Sequence, residues 1–187
     1  MKKNYKKLSD KELAELIGEK NGEEEYAFAE IYDRYSNNVF AYILRILNDR
    51  DAAEDIFQET FIRFHSNVTS QSSGSVRGYL ITIARNLCLN YKRDSKSTVQ
   101  IDEFEFVAPE FQNYENKELK ELINMAVELL DMTLREPLVL RVYNGLDYKE
   151  IGQSCGITSS NARLRVHRAK DKIRKILAPY IKEFKNK

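Results

Sequence analysis

Two groups of polar residues in this sequence are spaced for gripping a surface rather than for breaking a bond. In Ala53-Glu54-Asp55-Ile56-Phe57-Gln58-Glu59-Thr60-Phe61, the residues Asp55, Gln58 and Glu59 stand at i, i+3 and i+4. On a helix that spacing gathers them into one acidic patch beside an apolar stripe. Near the C-terminus, Ser159 and Ser160 are followed by Arg163, Leu164, Arg165 and Arg168. Short hydroxyls at the tip of a helix and arginines behind them suit entry into a DNA major groove. A guanidinium can bond guanine bidentately, and the remaining cations can neutralise phosphates. Spacing for catalysis is missing. The sequence has no phosphate-binding glycine loop and no nucleophile–base pair, and Ser70, Ser72, Ser73 and Ser75 read as loop residues. Its histidines are His65 and His167, and its cysteines, Cys88 and Cys155, form no Cys-x-x-Cys pair, so no zinc site of usual spacing is encoded. Neither a catalytic residue, a metal, a cofactor nor a small-molecule substrate is expected.

The basic group needs a helix-turn-helix to present it, and the local sequence supplies one between Tyr148 and Ala178. Asp147 caps a short helix, with Glu150 three residues on. Ile151 and Cys155 face inward, and Gly156 suits the left-handed position that ends a helix. Thr158 then caps a second helix after a short turn, the arrangement of a DNA-reading motif. On that helix Ala162, Val166, Ala169, Ile173, Ile176 and Tyr180 form the predicted inward stripe, with the serines and arginines mostly outside it.

The acidic group sits in an all-helical N-terminal block. Ser9 and Glu12 form a capping box before Leu13, Leu16 and Ile17. A long helix is predicted from Glu23 to about Leu47, with Asn48 to Arg50 breaking it. A third helix spans Asp51 to about Phe64 and buries Ala53, Ile56, Phe57, Thr60, Phe61 and Phe64. Polar residues from Ser66 to Gly78 read as a loop, although a fourth helix, about Val76 to Lys92, overlaps its end. Residues 95–114 are acidic, without clean period, and read as a linker. Beyond it, a helix from near Glu115 carries Leu119, Leu122, Ile123, Ala126, Val127 and Leu130 on one stripe. Thr133 and Glu136 form a capping box for the next helix, with Pro137 in its first turn, and Asn144-Gly145 ends it. The fold expected is all-α: two small helical domains, residues 1–94 and 115–187, joined by the acidic linker, the C-terminal one a helix-turn-helix.

Composition bounds the partners. The chain has 187 residues, 32 % of them charged, and a formal net charge of +1. Near neutrality argues against a uniformly basic, histone-like protein, but the charge is segregated. Acids dominate from Ile101 to Glu121, whereas after Ser160 ten lysines and arginines face only Asp171 and Glu183. A basic block of this kind points to a polyanion. Residues 1–20 contain no apolar run of signal-peptide length, no stretch approaches a membrane span, and the two cysteines read as small buried apolar residues. A cytoplasmic location without membrane insertion is expected.

The acidic motif followed by Tyr79-Leu80-Ile81-Thr82-Ile83-Ala84-Arg85-Asn86 and Tyr91-Lys92-Arg93, together with the segment from Ile151 to Ala169, resembles the extracytoplasmic-function group of bacterial sigma factors. The resemblance runs from about Glu24 to Leu177. "AEDIFQETF … YLITIARN" is similar to the second conserved region, and "YKEIGQSCGITSSNARLRVHRA" to the fourth. It implies that Asp55, Gln58 and Glu59 bind core RNA polymerase. It implies that the loop from Asn67 to Arg77 and the following helix, through Arg77, Tyr79, Asn86, Tyr91, Lys92 and Arg93, recognise and melt the minus-ten element of promoter DNA, with a base flipped into a pocket on the loop. It further implies that Ser159, Ser160, Arg163, Leu164, Arg165 and Arg168 meet the minus-thirty-five element. An anti-sigma factor is implied as a further partner. Four positions depart from the family pattern. Tyr79 stands where tryptophan is frequent, Gly152 where alanine is usual, Leu130-Asp131 where Leu-Pro is common, and Leu164 where a polar residue is common. An apolar side chain at 164 favours a thymine methyl. A stand-alone helix-turn-helix regulator is the alternative, but it leaves the acidic patch and the melting pattern unexplained.

Overall fold

Apolar residues recurring at three and four along the chain become helices because each such stripe has a neighbour to bury it against. The computed structural model describes residues 4–19, 22–68, 75–95 and 117–184, and every regular element among them is a helix. The helices fall into two compact units.

In the first unit a short 3-10 turn at Tyr5–Lys7 precedes α1 (Asp10–Glu19), α2 (Glu24–Leu47), α3 (Arg50–Asn67) and α4 (Val76–Ser95). Helix α2 is the spine. Its Ile31, Val39, Tyr42, Ile43 and Ile46 are buried against Leu13 and Ile17 of α1, Phe61 and Phe64 of α3, and Leu80, Ile81 and Ala84 of α4. The Ser9–Glu12 capping box forms, the Ser9 backbone N–H donating to Glu12 and the Glu12 N–H to the serine hydroxyl. Asn48 ends α2 in the left-handed conformation at φ 55°, with its N–H on the Leu44 carbonyl. Asparagine tolerates that region better than other residues with a side chain. Asp49 immediately caps α3, accepting from the Ala52 N–H at 3.0 Å. Its other carboxylate oxygen accepts the Tyr91 hydroxyl of α4 at 2.9 Å.

Two helices run further than expected. Ser66 and Asn67 belong to α3, and Arg77 and Gly78 to α4, so the predicted loop is shorter at both ends. Ser75 is the reason at the second end: its hydroxyl accepts the Gly78 N–H at 3.2 Å and its carbonyl the Tyr79 N–H. The rest of that loop, 69–74, lies outside the described residues, as does the predicted linker apart from Ser95.

The N-terminal segment is held to α2 by one side chain. The Arg34 guanidinium donates to the carbonyls of Tyr5, Lys6 and Leu8, to Asp10 at 2.9 Å and to Glu30 at 2.8 Å. Burial works against its charge, but the bonds to Glu30 and Asp10 outweigh this and raise its pKa. Beside it the Tyr35 hydroxyl donates to Asp10. Burial, and then that bond, push the Tyr35 pKa up to about 12.

The second unit contains α5 (Lys117–Glu128), α6 (Met132–Val142), α7 (Tyr148–Cys155) and α8 (Ser159–Phe184). Ala126, Val127 and Leu130, Leu138 to Leu140, Ile151, and Ala162, Val166 and Ala169 form its core. The cap of α6 is Asp131, which accepts the Leu134 N–H, and not Thr133, whose hydroxyl donates to the same carboxylate. Pro137 therefore lies beyond the first turn. Asp131, found where the family often has proline, thus starts this helix, and Lys172 of α8 reaches it at 3.6 Å. Arg135 closes the preceding helix by donating to the carbonyls of Glu128 and Leu130, and its burial lowers its pKa.

The helix-turn-helix forms as the sequence predicts. Asp147 and Glu150 make the capping box, Gly156 is left-handed at φ 67°, and the Thr158 hydroxyl accepts the Asn161 N–H. Four inward assignments differ, two of them Ile173 and Ile176, which are only half-buried. Cys155 is only half-buried, whereas Cys88 is fully buried. Tyr180 is exposed, and Leu177 is the residue buried near that end of α8. A 26-residue helix outruns its neighbours, and its stripe drifts because 3.6 does not divide the spacing evenly.

Gly152 makes the turn possible. A Cβ there would lie 2.7 Å from the Ile157 carbonyl oxygen and 3.3 Å from the Ser159 nitrogen. Alanine gains about 1 kcal/mol of helix propensity, but overpacking against backbone costs about 1–3 kcal/mol. Gly152→Ala is therefore expected to lower the second unit's unfolding midpoint in urea; an unchanged or higher midpoint would show that the turn relaxes freely.

The first unit carries a pH signature. A pKa raised in the folded state means the hydroxyl's contribution is complete below pH 10.0, the ordinary tyrosine value, and is lost as pH rises toward about 12. The stability difference between wild type and Tyr35→Phe should shrink over that interval in denaturant titrations. A constant difference would contradict the buried, proton-retaining hydroxyl.

Candidate functional site

Three exposed faces hold the residues singled out from sequence. On α3, Asp55 and Gln58 are exposed and Glu59 is half-buried, all on one side of the helix. Glu59 pairs with Arg63 at 2.5 Å, and Glu54, one residue before Asp55, with Arg50 at 3.0 Å. Asp55 makes no ion pair among the described residues. Ile62 completes the same side at i+3 and i+4 and is 59 % exposed, an apolar knob beside the acids that sequence inspection passed over. Its helical spacing from Gln58 and Glu59 was the available signal.

Helix α4 divides its six candidates. Tyr79, Asn86 and Arg93 are exposed at intervals of seven and share one face with Thr82, Leu89 and Asn90, none of which was singled out. Tyr79 is anchored from below by the Phe64 ring, with centroids 6.0 Å apart. Arg93 pairs with Asp94 at 3.1 Å. The other three point elsewhere. The Arg77 guanidinium lies 5.8 Å from the centre of the Tyr35 ring, Tyr91 is bonded to Asp49, and Lys92 is half-buried on another side.

The face of α8 is wider than the six residues proposed for it. Ser160, Leu164, His167 and Arg168 form the outermost strip, with Leu164 47 % exposed at its centre. Arg163 and Arg165 flank the strip on opposite sides, by their positions on the helix. Arg165 donates to Asn161 at 3.2 Å, and His167 contacts Asp171 at 3.0 Å. Ser159 stands at the helix tip beside Arg163 and Ser160.

Charge pairing separates this surface from the rest of the protein. Arg50, Arg63, Arg93 and Arg174 each pair with a carboxylate one to four residues away. Arg141, Arg163, Arg165 and Arg168 have no carboxylate partner among the described residues. The acids nearest the turn, Asp147 and Glu150, are engaged with backbone N–H groups in the capping box. Cations left without internal counter-ions suit an external polyanion. Among the described residues no cluster of metal-ligating side chains occurs, and no helix is long and apolar enough to cross a membrane.

Comparison with known proteins agrees with both halves. Residues 31–98 match the family model for Sigma-70 region 2, and residues 120–173 that for Sigma-70 region 4. The chain is 31 % identical over 150 residues to the ECF RNA polymerase sigma factor SigM of Bacillus subtilis, covering 78 % of this chain and 91 % of that one. It is 29 % identical over 174 residues to SigW of the same organism, covering 84 % and 92 %. Among solved structures, CnrH bound to the cytosolic domain of CnrY superposes with a TM-score of 0.68 at 19 % identity, covering 91 % of this chain and 97 % of that one. The sigma factor RpoE bound to the anti-sigma factor NepR from Bartonella quintana also gives 0.68, at 22 % identity, covering 81 % and 96 %. These two likenesses speak for the fold. With a sequence relative at this identity spanning most of both chains, the protein belongs to the ECF sigma factors of RNA polymerase, the promoter-specificity subunits that direct transcription initiation.

Proposed function

We propose the following division of labour for this sigma factor. Residues 1–94 form its region 2 module, 115–187 its region 4 module, and 95–114 the acidic tether between them. Asp55, Gln58 and Glu59 dock on core RNA polymerase, with Ile62 adding apolar contact. Tyr79, Asn86 and Arg93 face the minus-ten element. Tyr91 and Arg77, already engaged with Asp49 and Tyr35, hold that helix in place, and Lys92 adds positive charge on its flank. Ser159, Ser160, Arg163, Leu164, Arg165 and Arg168 meet the minus-thirty-five element in the major groove. The chain works by binding, without bond chemistry of its own, and acts in the cytoplasm, where polymerase and promoters are. An anti-sigma factor is a further partner, as one is for the similar RpoE.

The observation that carries this reading is the contrast in charge pairing. Arg50 and Arg63 on α3 and Arg93 on α4 are matched by carboxylates, whereas Arg141, Arg163, Arg165 and Arg168 have no carboxylate partner among the described residues, and Asp55 presents an unpaired acid in the other unit. One chain thus offers an acidic contact for protein and a basic contact for DNA. A simple duplex-binding regulator would use only the second.

Purified chain added to core polymerase should start transcription at specific sites in a run-off assay on a genomic promoter library. No transcript, despite folded protein, would sink the assignment. Reversing charge at the acidic patch, Asp55→Lys with Glu59→Lys, should weaken core binding by tenfold or more, since like charges facing each other at an interface cost several kcal/mol and about 1.4 kcal/mol is tenfold. Both sites are at least partly exposed, and the lost Glu59–Arg63 pair is worth about 0.3–0.5 kcal/mol, so the melting curve should barely move. Unchanged affinity in a titration against core polymerase would remove this surface from the proposal.

A further inference from the structure

Tyr148, at the first position of α7, lies under two arginines from two other helices. The Arg163 guanidinium of α8 is 5.1 Å from its ring centre, and the Arg141 guanidinium at the end of α6 is 5.0 Å from it. Arg141 is also tied back by a bond from Nη1 to the Leu146 carbonyl at 2.8 Å. Neither arginine has a carboxylate partner among the described residues. Each guanidinium is drawn to the electron-rich ring, and Arg141 is held in addition by its bond to Leu146. The backbone that carries the ring is fixed, because Asp147 and Glu150 cap α7 at this end.

We infer that Tyr148 is a positioning residue for promoter recognition: its ring pre-orders Arg163 and Arg141 as a paired cationic grip on the DNA backbone and groove edge. The inference rests on the minus-thirty-five assignment proposed for α8. A free arginine loses rotamer freedom when it docks, and an immobilised one has lost part of it already. The pair also has an electrostatic consequence. Two cations held at one ring with no carboxylate partner among the described residues favour a phosphodiester at this position. The capping box makes the α7 N-terminus itself an unsuitable anion site, since its N–H groups are already bonded to Asp147. The grip is therefore made by side chains.

The test uses holoenzyme on a promoter from which the wild type gives a run-off transcript, with affinity measured across a range of salt. Tyr148→Leu keeps apolar bulk and removes the ring. It should lower promoter affinity about three- to tenfold, the scale of one or two exposed cation–π contacts, while leaving the melting temperature unchanged. Tyr148→Phe keeps the ring and should bind as wild type. In a background of Arg141→Ala with Arg163→Ala, which itself binds weakly and with a shallower salt dependence, Tyr148→Leu should cost nothing more. Wild-type affinity for Tyr148→Leu, or the same loss with and without the two arginines, overturns the positioning role while the minus-thirty-five assignment stands. If the arginine pair can be removed without any loss of affinity, that assignment falls and the inference with it.

Discussion

In each half of this protein, one residue with a left-handed backbone and one side-chain cap decide how the functional helix leaves its predecessor. Asn48 stops α2 and Asp49 starts α3; Gly156 stops α7 and Thr158 starts α8. A helix ends with unsatisfied carbonyls and begins with unsatisfied N–H groups, so a short joint must answer both within a few residues. The joint then fixes the rotation of the second helix about its axis. For α3 that rotation turns Phe61 and Phe64 inward and Asp55 and Gln58 outward. For α8 it turns Ala162, Val166 and Ala169 inward and leaves Leu164 and Arg168 outside. At the second joint Gly152 lets the turn close against α7, which shortens the distance over which error in that rotation can build up.

The electrostatics follow from the same economy of helix surfaces. A charged residue on a helix face usually finds an opposite charge three or four positions away, and such pairs are worth little to stability. They matter here for what they neutralise. Internal pairing neutralises Arg50, Arg63 and Arg93, and Asp147 and Glu150 are drawn into capping. Arg141, Arg163, Arg165 and Arg168 keep no carboxylate partner among the described residues, so a protein with a net charge of +1 still presents a concentrated positive surface.

Much of this was legible in the sequence because it is local. Ser9 with Glu12, Asp147 with Glu150, and Gly156 all act on neighbours within four residues, and each behaves as its spacing predicts. The all-helical class followed from periodicity for the same reason. Legibility failed where two local signals competed or where the answer came from another helix. Asp131 and Thr133 are both good caps, and the carboxylate took the position, with the lysine of α8 beside it. Tyr180 fits the stripe of α8, but the neighbours against which that stripe is buried do not extend that far. The contacts of Arg77 with the Tyr35 ring and of the exposed Tyr91 with the α2–α3 joint are made to other helices, so the sequence did not show them. The convergence of Arg141, Tyr148 and Arg163 comes from three helices, and no spacing along the chain announces it.

The carboxylate of Asp49 has a mechanical meaning beyond ending one helix and beginning another. One oxygen holds the first turn of α3, and the other holds Tyr91, in the last two turns of α4. Together with the packed faces of the two helices, it ties the acid-bearing face of α3 to α4, whose exposed face carries Tyr79, Asn86 and Arg93. The register between the acidic face of α3 and the exposed face of α4 is therefore set when the domain folds.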